Sequence, residues 1–468
     1  MKKLTFGIIV GNRGFFPDAL AKEGREKILS LLKTSGYDSI ALTDKQTKHG
    51  SVETFSDARK CAELFAAHAN VIDGIIITLP NFGDEKGVAE SIKRSGCKVP
   101  VLIHAEPDNN AKMTNAHRRD SFCGKISVCN NLHQARIPYT LTELHTVGIT
   151  SKEFKKDLER FAAICRIVKG LKNARFGAIG ARTGAFNTVR FSEKLLEANG
   201  IAIETIDLSE ILGRVGRLSD SNRALQKKLN AVKEYIDTKN VPSDSVLKMA
   251  KVGVVIDDLV KDMELKGTAI QCWTALQEFF GIMPCTLMSM MSESLLPSAC
   301  EVDIAGLLGM YILQQASQTP SAILDWNNNY GDDPNKCVVF HCSNLPKSFF
   351  KTSRMDYNAI IGSVMGPACS YGTVTGKIKP GATTYCRVST NDSEGAIAAY
   401  VGQGQFVDCD VETFGGYGVM EIPNMQDLMQ HICKFGFEHH VAVSMSKQAQ
   451  AVREALTNYM GWNVYLHA

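Results

Sequence analysis

The sequence predicts an α/β protein: two Rossmann-like parallel-sheet α/β domains followed by a β-rich, barrel-like C-terminal domain. Three observations point there. Short apolar runs alternate with amphipathic helical patterns through the first third, the mark of βαβ units and a parallel sheet. The same strand–loop–helix pattern restarts at ARFGAIGARTGAFNTV. Beyond Phe349 the chain changes to β-prone residues broken by turn residues, as in GTVTGKIKPGATTYCRVSTNDSEGAIAAYVGQGQF, which reads as antiparallel sheet or barrel.

The elements follow in order. KLTFGIIVG is a first strand, and DALAKEGREKILSLLKTSG is an amphipathic helix closed by Gly36. YDSIAL is a strand and TFSDARKCAELFAAHAN a helix. VIDGIIITLP and VPVLIHAE are almost continuously apolar, as strands covered on both faces are. The loops GNRGFFP, TLPNFGD and HAEPDNN then lie at the carboxyl ends of parallel strands, where ligand clefts form. SKEFKKDLERFAAICRIVKGLKN is a long helix leading to the second unit. IAIETIDL is a strand there, and KVGVVIDDLVKDMELKGTAIQCWTALQEFFG reads as largely helical. The strand of FEHHVAVSMS and the helix SKQAQAVREALTNYMG complete the chain. These breaks set domains at 1–169, 170–348 and 349–468.

Composition excludes several classes. The 468 residues carry a formal net charge of +3, with 44% hydrophobic and 22% charged residues. No Lys/Arg block recruits nucleic acid or a membrane surface. The apolar run in MKKLTFGIIVGNRGFF is too short for an export leader. No stretch approaches the roughly 18 apolar residues of a membrane span. The 14 cysteines include no CxxC pair. Reduced thiols in a cytoplasm fit that usage, and the spacing argues against a Cys-type zinc site.

Several residues could carry chemistry. GAIGARTGAFNTV holds Gly177, Gly180 and Gly184 but departs from GxGxxG, so it reads as a turn beside a ligand rather than a nicotinamide site. Arg182 in that loop faces either solvent or a polar substrate group. The stretch ACEVDIAGLLGMYILQQASQTPSAILD opens on Glu301 and Asp303 and closes on Asp325, with a run of about four helical turns between. A strand end, a returning helix and a second strand end would bring these carboxylates to one sheet edge. A helix cap and a turn acid explain them equally well, and the local sequence leaves both readings open. His341 follows the strand CVVFH, and His439 and His440 sit at the mouth of VAVSM. Such histidines are structural or metal-ligating, since neutral imidazole is a common ligand.

The block from Glu301 to Asp325 resembles the metal-binding core of the L-fucose isomerase / L-arabinose isomerase superfamily. There a Glu opens a segment E-x-D-x-x-G-A-L and an Asp ends the following strand. The resemblance implies that Glu301 and Asp325 are metal ligands and also the acid and base on either side of a cis-enediol. It implies His440, in FEHHVAV, as the third ligand. His439 falls where fucose isomerases have a substrate-contacting Asn. His341, in FHCSN, falls where arabinose isomerases add a histidine, and is a fourth ligand or a substrate contact. Arg13, in VGNRGFF, matches an Arg that serves a neighbouring subunit's site. Gln271 in IQCW and Arg182 join it as substrate contacts.

The resemblance spans nearly the whole chain, although the C-terminal part is shorter than in fucose isomerases. It implies a cytoplasmic, metal-dependent aldose–ketose isomerase using Mn²⁺, with Mg²⁺ or Co²⁺ as alternatives. The substrate would be a hexose or a 6-deoxy or 6-substituted aldose, and the protein a homo-oligomer, trimer or hexamer, with shared active sites. Arg13, Arg182, Arg190 and the stretch His117–Arg119 add an expectation of an anionic substrate, such as a sulfonated sugar, because Arg presents a fork to such groups. Solvated or ion-paired arginines account for the same residues. The alternative function is a non-catalytic sugar-binding or regulatory protein of the same fold.

Overall fold

The computed structural model describes residues 3–467. Its first sheet comprises β1 (Thr5–Val10), β2 (Asp38–Ala41), β3 (Gly74–Leu79), β4 (Val101–Ala105) and β5 (Thr140–Leu141). The order is β2–β1–β3–β4–β5 and every pairing is parallel. Its strands divide their apolar side chains between two cores, as a period of two requires. Ile75 and Ile77 join Phe65, Val88 and Ile92 on one face. Ile76 joins Ile28, Leu31, Phe154 and Phe161 on the other. Each fully buried Ile contributes about 1.5–3 kcal/mol, so this sheet requires helices on both sides. The chain up to Lys169 forms one compact unit, which takes back Glu454–Gly461. There the Tyr459 hydroxyl bonds Thr140 Oγ1 at 2.8 Å.

The second unit holds two sheets. One comprises β6 (Ala174–Ile179), β7 (Ile201–Ile206), β8 (Gly267–Ile270) and β9 (Ser298–Cys300), ordered β7–β6–β8–β9 and parallel throughout. β8 corrects the largely helical reading of its segment. Its four residues, GTAI, are all buried between β6 and β9. So short an apolar run, enclosed by helical patterns, has no period of its own to read.

The third sheet comprises β10 (Ser321–Asn329), β11 (Lys336–His341), β12 (Arg354–Tyr357), β13 (Tyr371–Lys377), β14 (Gly381–Asn391), β15 (Ala396–Val407), β16 (Gly416–Glu421), β17 (His440–Ser444) and β18 (Asn463–His467). β16 pairs with both β11 and β15, which closes β16–β11–β10–β17–β14–β15 into a six-stranded ring. The fold is therefore the predicted one: parallel α/β sheets followed by a barrel-like, β-rich part.

The helix Ile304–Ser317 lies between the second sheet and the barrel, against β8 and β9 on one side and β14 and β17 on the other. It is apolar and buried almost all round, as a helix enclosed by two layers must be. Gly309 permits the approach, since a Cβ there would lie 3.1 Å from that of Ala442. One expectation changes here. β10 runs four residues past Asp325 to Asn329, and Glu301 follows β9 of the second sheet whereas Asp325 lies within β10 of the third. The expected shared sheet edge is replaced by a cleft between sheets. Among the described residues no helix is long and apolar enough to cross a membrane.

Candidate active site and metal centre

Glu301 directly follows β9, where the chain leaves the sheet through two left-handed residues, Glu301 at φ 55° and Val302 at φ 56°. Neither is glycine, and a β-branched residue in that region is an outlier. Such a conformation costs about 1–3 kcal/mol per residue and persists only where surrounding contacts enforce it. Asp303 then caps the helix Ile304–Ser317, with its Oδ1 accepting the Gly306 N–H at 2.8 Å. Gly306 is required for this cap, because a Cβ there would lie 2.3 Å from Asp303 Oδ2. Trp273 Nε1–H donates to Glu301 Oε1 at 3.0 Å, and the Cys272 thiol approaches the same oxygen at 3.5 Å.

The barrel brings the other groups. β10 and β17 are antiparallel, and Asp325 is the register partner of His440. On its other side Asp325 pairs with Phe340, the residue before His341. Glu301, Asp325, His341, His439 and His440 line one cavity of about 120 Å³, together with Phe186 and Trp273. His440 Nε2 lies 3.4 Å from Glu301 Oε2 and 3.4 Å from Asp325 Oδ1. His341 Nε2 lies 3.9 Å from Glu301 Oε2, and His439 Nε2 lies 3.7 Å from Asp325 Oδ1.

The other nitrogen of His440 has a defined partner. Its Nδ1 lies 2.8 Å from Asp303 Oδ2. Asp303 in turn receives Arg387 through Nη1 at 2.5 Å and Nη2 at 3.1 Å, and Arg387 Nε–H donates to Glu438 at 2.9 Å. Arg387 is fully buried. Burial opposes ionisation of Asp303, but Arg387 and His440 outweigh it and hold its carboxyl well below the usual range. An ionised Asp303 only accepts hydrogen bonds, so Nδ1 of His440 carries hydrogen and Nε2 turns toward the two carboxylates. A carboxylate that orients a ligating imidazole in this way is a regular feature of metal sites.

These groups fit a divalent cation. Among the described residues, Glu301 Oε2 and Asp325 Oδ1 are buried acceptors without a hydrogen-bond donor, a costly state unless a positive charge meets them. Burial disfavours the His440 imidazolium, yet Asp303, Glu301 and Asp325 together raise its pKa. The cavity thus attracts positive charge. Burial also raises the Glu301 pKa, against the pull of His341 and His440. Glu301, His341 and His440 form one set of closely grouped donors, and Asp325, His439 and His440 another. Carboxylate and imidazole donors together suit Mn²⁺, Mg²⁺ or Co²⁺.

Gln271 and Arg182 stand outside the cavity and shape the loop that reaches it. Gln271 Oε1 accepts the Ala181 N–H at 2.9 Å. Arg182 Nη1–H donates to the carbonyl of Phe186 at 3.0 Å, and the Phe186 ring stacks on His439 with centroids 5.6 Å apart. Arg182 and Arg190 line a larger groove of about 1440 Å³. Arg13 belongs to the first unit, at the end of β1. Its Nε–H donates to the Gly83 carbonyl, it pairs with Glu85, and its guanidinium covers the Phe82 ring at 4.0 Å.

Arg387, Glu438, Trp273 and Phe186 escaped the sequence reading. Arg387 left one trace, a charged residue within the β-prone run TTYCRVS. Phe186 and Trp273 left none, since an aromatic in a loop is not distinctive.

The chain also resembles known sugar isomerases along most of its length. Residues 7–172 match the family described as fucose/sulfoquinovose isomerase, N-terminal domain, and residues 339–467 match L-fucose isomerase, C-terminal domain. The sulfoquinovose isomerase of Priestia aryabhattai is 24% identical over 452 residues, 95% of each chain. The sulfoquinovose isomerase of Alkalicoccus urumqiensis is 24% identical over 390 residues, 82% of this chain and 83% of its own.

Proposed function

Because the chain belongs to the fucose-isomerase-like family of sugar isomerases, we propose that it interconverts an aldose bearing a sulfonate with the corresponding ketose. Glu301, Asp325 and His440 hold a divalent ion, Mn²⁺ by family resemblance, and Glu301 and Asp325 move the proton. The observation that carries this reading is the meeting of two donor-free carboxylate oxygens at 3.4 Å from one imidazole nitrogen.

Isomerisation moves a proton from C2 to C1 of an aldose and the hydroxyl proton from O2 to O1. Deprotonation at C2 leads toward an enediol through enediolate character, so negative charge develops on the two sugar oxygens. A bound divalent ion supplies the charge that stabilises those oxygens. Glu301, whose pKa burial raises, suits the member of the pair that holds a proton for part of the cycle. Asp325, less buried than Glu301, suits the base. Trp273 fixes Glu301 Oε1 and leaves Oε2 to the cavity. Asp303 orients His440, and Phe186 and Trp273 cover the site with apolar surface, which strengthens the electrostatics within. His341 and His439 border the pair and are positioned to orient sugar hydroxyls.

The sulfonate reading rests on the named relatives and on two arginines of the groove. Neither Arg182 nor Arg190 has a carboxylate partner among the described residues. Steady-state kinetics with sulfoquinovose and L-fucose in Mn²⁺ tests it. Sulfoquinovose should have the higher kcat/KM, and Arg182→Gln should raise its KM while leaving that of a neutral aldose unchanged. Equal turnover of both sugars discards the sulfonate. The intact set Glu301, Asp325 and His440 favours catalysis over a sugar-binding role without turnover.

A further inference from the structure

Fourteen thiols scattered along the sequence showed no ligand spacing. The fold nevertheless gathers four of them behind Glu301. Cys272 lies just beyond β8 and Cys300 ends β9, two neighbouring parallel strands. The thiol of Cys300 interacts with those of Cys272, Cys285 and Cys342. Cys272, Cys285 and Cys300 are buried, whereas Cys342 borders the active-site cavity. All are free thiols.

We propose that Cys272, Cys300 and Glu301 form a second cation site, selective for a thiophilic ion such as Zn²⁺ or Cd²⁺, which shares Glu301 with the sugar site and shuts it when filled. The sulfurs of Cys272 and Cys300 and a Glu301 oxygen lie within 4.8 Å of one another. Cys272 Sγ and Glu301 Oε1 are 3.5 Å apart. A tetrahedral zinc ion with its usual Zn–S and Zn–O lengths sets that separation at about 3.5 Å. Cys285 or Cys342 supplies a third sulfur as the fourth ligand. An ion entering from the cavity meets Cys342 first, and each ligating thiol gives its proton to solvent as the ion binds. No electron is transferred.

Selectivity follows from donor softness. Thiolates draw zinc and cadmium, while carboxylate and imidazole suffice for the harder ions of the sugar site. The two sites use different oxygens of one carboxylate: Oε1 faces the thiols and Oε2 faces His440. With Oε1 held by a soft ion, the Glu301 side chain is pinned toward the thiols and its Oε2 no longer adjusts to the sugar site. This inhibitory consequence rests on the role given to Glu301 above; capture of the ion does not.

Cadmium chloride is the probe. It is added to the full chain, kept reduced with a non-thiol reductant, in excess Mg²⁺ and on a Cys123→Ser/Cys433→Ser background that removes the exposed thiols. The proposal expects an ultraviolet thiolate-to-cadmium charge-transfer band that saturates at one equivalent and disappears in the further Cys272→Ser/Cys300→Ser variant. A band of undiminished size in that variant overturns it. Cadmium NMR of the unmodified chain avoids any question of folding: a shift characteristic of two or more sulfur ligands supports the site, and one of oxygen and nitrogen ligands alone overturns it. Turnover in Mn²⁺ is then measured against Zn²⁺, each variant relative to its own uninhibited rate. The half-inhibiting concentration should rise at least about tenfold in Cys272→Ser. If the band forms but Zn²⁺ inhibits both proteins alike, capture stands and the control of Glu301 falls.

Discussion

Asp303 connects the site's chemistry to the protein's stability. One carboxylate caps a helix, receives a buried guanidinium and orients His440. Asp303→Asn weakens all three contacts and leaves Arg387 with only Glu438 to balance its charge. Removing one partner of a buried pair costs about 3–5 kcal/mol, and losing the group that orients a metal-ligating imidazole costs about 10–100-fold in metal affinity. Urea unfolding and calorimetric titration with Mn²⁺ should show both losses together. An unchanged Mn²⁺ affinity in folded Asp303→Asn would separate Asp303 from the metal site. Arg387→Gln should destabilise the protein by a similar amount, because Asp303 and Glu438 would then face each other without a cation between them.

The helix Ile304–Ser317 sets the position of Glu301 relative to the barrel. Its N-terminus is held by Asp303, and its first turn approaches β10 closely enough that a Cβ on Gly306 would also lie 2.4 Å from Ile323 Cδ1. Gly306→Ala should therefore displace the cap, destabilise the protein by about 1–3 kcal/mol and lower Mn²⁺ affinity; thermal melts with and without Mn²⁺ read both. Much at this scale was legible in the sequence. The helix between the acids, the strand before His341 and the strand beginning at His440 follow from apolar runs and their period. What local pattern could not supply was register. Asp325 faces His440 because β10 and β17 pair antiparallel at that residue, and a contact across 115 positions has no local trace. The same limit explains Arg387 and the four gathered thiols, whose partners lie on other elements. It also explains the missed strand β8, which only its neighbours β6 and β9 define. Glu301, Asp325 and His440 were chosen through family resemblance rather than from spacing.

At the scale of the molecule, the first unit carries a pH dependence of its own. His104 is fully buried on β4, bonded to Thr78 Oγ1 and the Val147 carbonyl. Burial lowers its pKa from 6.5 to about 4. The unfolded chain therefore binds a proton that the folded chain refuses. The stability contributed by neutral His104 is complete above about pH 6.5 and is lost progressively as pH falls toward 4, amounting to about 2 kcal/mol at pH 5. In urea unfolding, the loss of stability from pH 7 to pH 5 should be smaller in His104→Gln than in the unmodified chain by about that amount. Arg13 and the fully exposed Phe15 stand together after β1. If that loop completes a neighbouring subunit's site, light scattering should report a trimer or hexamer, and Phe15→Asp should lower both assembly and turnover.

In the proposed function Glu301 and Asp325 move a sugar proton beside a cation held with His440. The rate of ketose formation from sulfoquinovose by Glu301→Gln, measured with saturating Mn²⁺ and compared with the unmodified chain, tests that role. Loss of a proton-transferring group should lower the rate by about 100-fold or more, in a protein whose thermal unfolding remains cooperative. A folded Glu301→Gln variant that turns over at the unmodified rate would remove Glu301 from the proton transfer.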